Sequence, residues 1–395
     1  MKSPKAILLI IVLAQFCCTS LWFAGNGVMD EMILAFQLPD TALGHLTSAV
    51  QLGFISGTLL FALLAIADRY SPSKVFFFSA LLGGLFNLGM IWEGNGLGSL
   101  LAFRSFTGFF LAGIYPVGMK IAADYFEKGL GVSLGYLVGA LVLGTAFPHL
   151  LKEFAINLPW NAVIIGTSAL ALLGGLLLLT MVPDGPYRKA AQQINLKSAF
   201  KVFKQKPFRA AAYGYFGHMW ELYAFWAFVP YIITQFNDYF PDLGFPVSLL
   251  SFIIIGVGGL SCVIAGYLGR RFSEKKVART ALALSGLCCL AFPFVFYNAH
   301  PVNFLLFLVF WGMVVIADSP LFSSLVARNA PAEIRGSALT LVNSLGFAIS
   351  IISIQLLNSL SEQYTLVYFI MVLAAGPLLG ILVSNINKTT HKPLS

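Results

Sequence analysis

Twelve stretches of largely apolar residues, each long enough to cross a bilayer, run through this chain and leave it few folds to choose from. About 20 such residues are needed to span about 30 Å of hydrocarbon as a helix rising 1.5 Å per residue. The stretches fall at 6–28, 43–66, 75–93, 98–123, 131–152 and 159–182, then at 210–234, 247–268, 277–297, 302–326, 337–358 and 364–385. Charged residues make up 10% of the 395 positions and the mean hydropathy is +0.84. A soluble domain carries about 25% charged residues to keep a wet surface. The chain is therefore expected to be an all-α membrane protein, without a separate water-facing domain.

The formal net charge of +8 acquires its meaning from where the basic residues lie. Lys2, Lys5, Arg69, Lys74, Lys128, the residues between Arg188 and Arg209, the Arg270 to Arg279 cluster, Arg328, Arg335, Lys388 and Lys392 all fall on one side of the twelve spans. Opposite loops carry Asp30, Glu31, Asp40, Asp238 and Asp242, with Lys152 as their one basic residue. Short loops rich in Lys and Arg stay in the cytoplasm, so both termini are expected there, in a multi-pass protein of the cytoplasmic (inner) membrane. The charge records topology, and nucleic acid is excluded as a partner.

Cys17, Cys18, Cys262, Cys288 and Cys289 all sit within apolar runs, without disulfide or metal-ligand spacing. Neither a His-Glu-x-x-His nor a Walker sequence occurs, which removes zinc proteolysis and ATP-driven pumping. Gly131-Val132-Ser133-Leu134-Gly135 spells a hydrolase elbow, but in a glycine-rich membrane helix rather than after a strand. With Gly139 these glycines instead form a small-x-x-x-small run that lets a partner helix approach. No enzyme activity, cofactor or metal is expected.

Six spans precede the polar stretch from Pro183 to Phe208 and six follow it. At an offset of about 202, Asp68-Arg69-Tyr70-Ser71-Pro72-Ser73-Lys74-Val75 aligns with Arg270-Arg271-Phe272-Ser273-Glu274-Lys275-Lys276-Val277. At 204, Gly108 and Pro116 align with Gly312 and Pro320. Duplicated halves follow: a six-helix bundle over 1–185, a cytoplasmic amphipathic linker over 186–208 and a second bundle over 209–395. Ile194, Ala199, Phe200, Val202 and Phe203 give the linker an apolar face suited to the membrane surface.

Taken together, the twelve spans, central basic loop and repeated basic turn resemble the major facilitator superfamily over the whole chain. Asp68, Arg69 and Lys74 fit that family's signature loop, with Leu64 where a glycine stands; Gly266 and Arg271 fit in the second copy, where Arg270 replaces the acid. Arg104-Ser105-Phe106-Thr107-Gly108 resembles the family's intramembrane Arg-x-x-x-Gly element. His218-Met219-Trp220-Glu221-Leu222-Tyr223 and Ala317-Asp318-Ser319-Pro320 are similar to a bacterial branch loosely named for nitrate and cyanate permeases. The resemblance implies two bundles around a cavity lined by spans 1, 4, 7 and 10, a monomer, and a latch on the cytoplasmic side. Asp68, Arg69, Lys74 and Arg271 are the latch candidates.

An ionisable residue in hydrocarbon is costly and marks a functional candidate by default. Glu221 lies near the middle of span 7, with His218 three residues earlier on the same face; Asp318 lies in span 10 and Arg104 in span 4. Because desolvation favours the neutral form of a carboxyl, Glu221 and Asp318, with His218, are the candidate proton carriers. Static pairing, Glu221 with His218 or Asp318 with a hydroxyl, is the competing reading. Arg104 suits an anionic solute or a tie to helix-end carbonyls. Gln15, Gln51, Asn343, Tyr115 and Tyr223 complete the expected solute site, and Asn26 is a further polar residue of span 1. Trp22, Trp220, Trp226 and Trp311 are assigned to packing or to facing lipid rather than to the solute.

These residues point to a secondary transporter working by alternating access. It is expected to be coupled to protons or another ion and to carry a small organic or inorganic anion across the lipid bilayer. Proton-driven efflux of amphipathic or cationic compounds is the alternative within transport, and a membrane sensor with a transporter-like body is the alternative outside it.

Overall fold

The computed structural model describes residues 4–126, 130–154, 158–188, 196–298 and 300–386, and every element among them is a helix. Lys2, Lys128, Ile194, Lys388 and Lys392 lie outside the described residues. Twelve helices follow the hydropathy pattern. In the first half they are α1 (Pro4–Thr19), α2 (Ala42–Leu63), α3 (Pro72–Ile91), α4 (Leu97–Tyr125), α5 (Leu130–Phe154) and α6 (Asn161–Met181). The second half contributes α7 (Lys206–Tyr239), α8 (Val247–Phe272), α9 (Glu274–Asn298), α10 (Pro301–Arg328), α11 (Arg335–Ser361) and α12 (Leu366–Ser384).

Ten of these are both long and apolar enough to cross a bilayer on those criteria alone; α1 and α7 are the two that are not. Regular helix in α1 ends at Thr19, well short of the expected 28, and the chain continues in turns to Gly25 and a short 3-10 segment at Asn26–Val28. α7 has ample length, 34 residues or about 51 Å. Its sequence is diluted by Glu221, His218 and a run of Tyr and Trp. α7 is largely buried among the other helices, whereas α1 keeps Leu9 and Leu13 exposed.

Inside each half, glycine sets how closely helices approach. A Cβ on Gly108 of α4 would overlap the carbonyl oxygen of Val50 on α2, and one on Gly312 of α10 would overlap that of Ile254 on α8. Val50 and Ile254 are 204 positions apart, as are Gly108 and Gly312. The duplicated sequence therefore reproduces one backbone contact twice, which is the pseudo-symmetry of the two bundles expressed in atoms.

The most extensive contacts between the halves, among the described residues, are α5 with α8 and α2 with α11. On the first, a Cβ at Gly139 would stand 3.0 Å from the carbonyl oxygen of Gly259, and one at Gly259 would stand 3.0 Å from that of Gly139. The small-residue run of α5 thus finds its partner in α8. On the second, Asn358 donates to the Thr41 carbonyl (3.0 Å) and Gln355 to the Gly44 carbonyl (3.0 Å) and the Ser48 hydroxyl (2.7 Å). Gln51 accepts from Ser350 further along the same interface. These bonds run from the middle of the helices toward the Asp40 loop, away from the termini.

Within the polar stretch between the halves, a helix at Leu196–Val202 buries Ala199 and Val202 and packs on α11, while Phe200 stays exposed. Part of the apolar face read as membrane-lying is therefore covered by protein. Phe203 joins it, edge-on to Phe208 and stacked on Phe216 of α7.

Candidate functional site

Three of the four central helices are interrupted. In α10 the break is at Asp318, in front of Ser319-Pro320, and in α4 it is at Ala112–Ile114, in front of Tyr115-Pro116. Proline has no backbone N–H, so the carbonyl four residues earlier loses its helical partner. At the α10 break the Cys262 thiol donates to the Ile316 carbonyl at 3.5 Å, and the Ser261 hydroxyl to the Met313 carbonyl at 2.7 Å. Side chains of α8 thus hold the break open.

The α1 break is held differently. Arg104, 1% exposed, donates to the carbonyl oxygens of Leu21 (3.0 Å) and Trp22 in the turns beyond Thr19. Its planar fork matches two successive carbonyls better than a lysine would. Of the two readings of this guanidinium, the tie to helix-end carbonyls is the one seen, at residues six and seven positions beyond Gln15 in the chain. Gln15 itself is fully buried with both amide atoms unpartnered, its Oε1 against Gly118.

Within the second half the two carboxyls and the imidazole sort into two sites. His218 Nδ1 and Asp318 Oδ1 stand 2.7 Å apart, both side chains within 1% of complete burial. Glu221, also fully buried, accepts from Trp311 Nε1 (2.7 Å), Ser285 Oγ (2.8 Å) and Cys289 Sγ (3.3 Å). The competing static reading named Glu221 with His218 and Asp318 with a hydroxyl; the partners here are different ones. Ser285, Cys289 and Trp311 were not legible as partners, because two of them lie on α9, which the resemblance places outside the cavity.

At the meeting of the halves lies an aromatic cluster. Trp22 stacks on Tyr223 and on Phe347, each at 5.7 Å, and Phe54 touches Trp22 (4.8 Å) and Phe347 (4.6 Å). Trp226 meets Tyr223 edge-on at 5.5 Å. Tyr223 and Gln51 therefore lie where the halves meet, beside four rings that the sequence reading sets aside or does not single out. Tyr115 and Asn343 are half-buried on α4 and α11, and Asn26 donates to Thr47 at 2.8 Å.

On the side of the termini, Asp68 pairs with Lys120 of α4 at 2.9 Å, and Lys120 reaches Asp124 at 3.5 Å. Arg188 donates to the carbonyls of Asp68 and Tyr70. Asp68 thus ties its turn to α4 of its own half, while Arg69, Lys74 and Arg271 are exposed, the last over the Phe272 ring. In the second half Glu274 pairs with Arg328 of α10. Neither residue aligns with Asp68 or Lys120, yet the same turn is tied to the same helix. The acid missing at Arg270 is supplied four residues later.

Comparison with known proteins bears on the whole chain. The Major Facilitator Superfamily matches it over residues 11–354. The solved structure of the proton:xylose symporter XylE bound to 6-bromo-6-deoxy-D-glucose superposes with a TM-score of 0.74 at 14% identity, covering 96% of this chain and 94% of that one. The niacin transporter NiaP of Acinetobacter baylyi is 33% identical over 159 residues, 35% of this chain and 36% of its own length, so this chain spans about a third of that relative.

Proposed function

We propose, from the premise that the chain belongs to the major facilitator superfamily and is a transporter rather than an enzyme, that it carries a small organic anion by proton-coupled alternating access. The observation that carries the coupling is the His218–Asp318 pair, buried from water at the break of α10. Two titratable groups in contact at a helix break exchange a proton when that break is exposed to one side or the other. Asp318 is the principal coupling carboxyl, His218 its partner, and Glu221 a second carboxyl held by Trp311, Ser285 and Cys289.

An anionic solute is favoured over a cationic one because both acids are fully buried within the second half, Asp318 against His218 and Glu221 among three donors. The niacin transporter among the relatives agrees with this direction. Solute binds between the halves near Gln51 and Tyr223, with Gln15, Tyr115 and Asn343 along the approach. Arg104 acts at one remove, by fixing the turns that present Trp22. Asp68 with Lys120, and Glu274 with Arg328, brace the cytoplasmic turns while the bundles rock.

The test is uptake into proteoliposomes, with labelled niacin and labelled lactate as probes, under an inward proton gradient. Accumulation should follow the gradient in the native protein. Asp318→Asn should keep solute exchange at equal pH and lose gradient-driven accumulation. Gradient-driven uptake that survives in both Asp318→Asn and Glu221→Gln would refute the coupling.

A further inference from the structure

Four tryptophans, three buried and Trp220 half-buried, divide into two kinds. Inside the second half, Trp311 donates to Glu221 and Trp220 to the Val372 carbonyl (3.2 Å), so each indole N–H is satisfied. Trp22 and Trp226, 1% and 0% exposed, have no partner for theirs. A buried Trp N–H ordinarily finds an acceptor, and an unmade hydrogen bond in a buried place calls for a reason. These two belong to the aromatic cluster between the halves, contributed by α7 and by the turns that follow α1.

A third unpartnered donor lies close by. Gln51 accepts from Ser350 through Oε1, while its Nε2 has no partner. Gln51 and Phe54 are three residues apart on α2, as are Phe347 and Ser350 on α11, so the amide pair sits one turn from the ring pair on the same interface. Flat rings from both halves and donors without acceptors therefore share one place.

We infer that this place is a slot for a planar aromatic ring bearing a carboxylate, stacked between Trp22 of one half and Tyr223 and Phe347 of the other, with its oxygens on the free indole and amide N–H groups. The inference rests on the transport reading above and names the solute class for the same site. With Trp22 stacked at 5.7 Å on both Tyr223 and Phe347, and the planes inclined by 24° and 25°, the rings now pack on one another and hold no third ring between them. Each contact crosses from one half to the other, so rocking of the bundles parts the rings and admits the solute. An aliphatic acid of equal bulk fills the opened space without the face-to-face contact that a flat ring makes.

Benzoate and cyclohexanecarboxylate carry the same charge at nearly the same size and differ in planarity, and they make the test. Binding to the purified full-length protein is followed by intrinsic tryptophan fluorescence and by thermal stabilisation. Benzoate should bind at least tenfold more tightly, and Trp22→Phe, which keeps a ring and loses the N–H, should weaken benzoate while leaving the melting temperature of the free protein near its native value. Equal binding of the two acids, or no benzoate binding, overturns the inference whatever the variant does. Proton-driven lactate uptake by a protein that ignores benzoate would leave the transporter reading standing and remove this one alone.

Discussion

Replacing Gly108 by alanine puts a methyl group where the carbonyl oxygen of Val50 stands. The obstacle is backbone in the middle of α2, so no change of rotamer relieves it. The two helices must part along a stretch where Gly53 and Gly57 already meet the carbonyls of Ser105 and Phe109. A gap of about 0.5–1 Å forfeits a quarter to a half of the dispersion energy of the contacts it opens, and overpacking of this kind costs about 1–3 kcal/mol. Alanine recovers about 1 kcal/mol of helix propensity over glycine. Since the upper end applies where backbone is struck, a net loss of about 2 kcal/mol is expected. Gly312→Ala, which meets Ile254 in the second half, should lose a similar amount. Gly266→Ala is the control, because nothing lies within 4 Å of its added Cβ. Thermal unfolding of the three purified variants in one detergent reads the outcome, with the first two melting below the native protein and the third at or above it. If Gly108→Ala melted with the native protein, or Gly266→Ala fell as far, glycine would not be what sets these helix distances.

Two further outcomes follow from the ties described above. Asp68→Asn breaks a pair whose side chains remain 22% and 29% exposed, so unfolding should shift by no more than about 1 kcal/mol while the initial rate of proton-driven uptake falls; a large stability loss with an unchanged rate would contradict a bracing role. Asn358→Ala removes the bond to the Thr41 carbonyl that closes α11 on α2. The loss of about 1 kcal/mol should raise maleimide labelling of Ser48→Cys about fivefold, and unchanged labelling would show that this contact does not hold the halves together.

How the ionisable residues are engaged was only partly legible in the residues. His218 and Glu221 are three apart on one helix and were read as facing the same way, yet one meets α10 and the other both α9 and α10. A separation of three residues turns side chains far enough apart for each to reach different neighbours once three helices surround them. Arg104 was legible as a costly intramembrane cation, with helix-end carbonyls among its readings. Which carbonyls depends on α1 ending early, and that end is held by the arginine itself, 82 and 83 residues away in sequence. That the indole N–H groups of Trp22 and Trp226 lack partners was not legible either, since an unsatisfied N–H becomes visible only when every neighbour is in place.

Order along the chain was enough to establish the twelve crossings, their duplication at offsets of 202 and 204 and the prolines that break α4 and α10. Hydrocarbon thickness and the missing proline N–H act locally, on residues that are neighbours in sequence. Tertiary structure decided which helix faces meet, and with them the partners of Arg104, His218, Glu221 and Asp318 and the gathering of rings between the halves. Those contacts join residues far apart in sequence, and their geometry is set by side-chain volume and by glycine-limited helix spacing, neither of which a pattern of apolar and polar letters records.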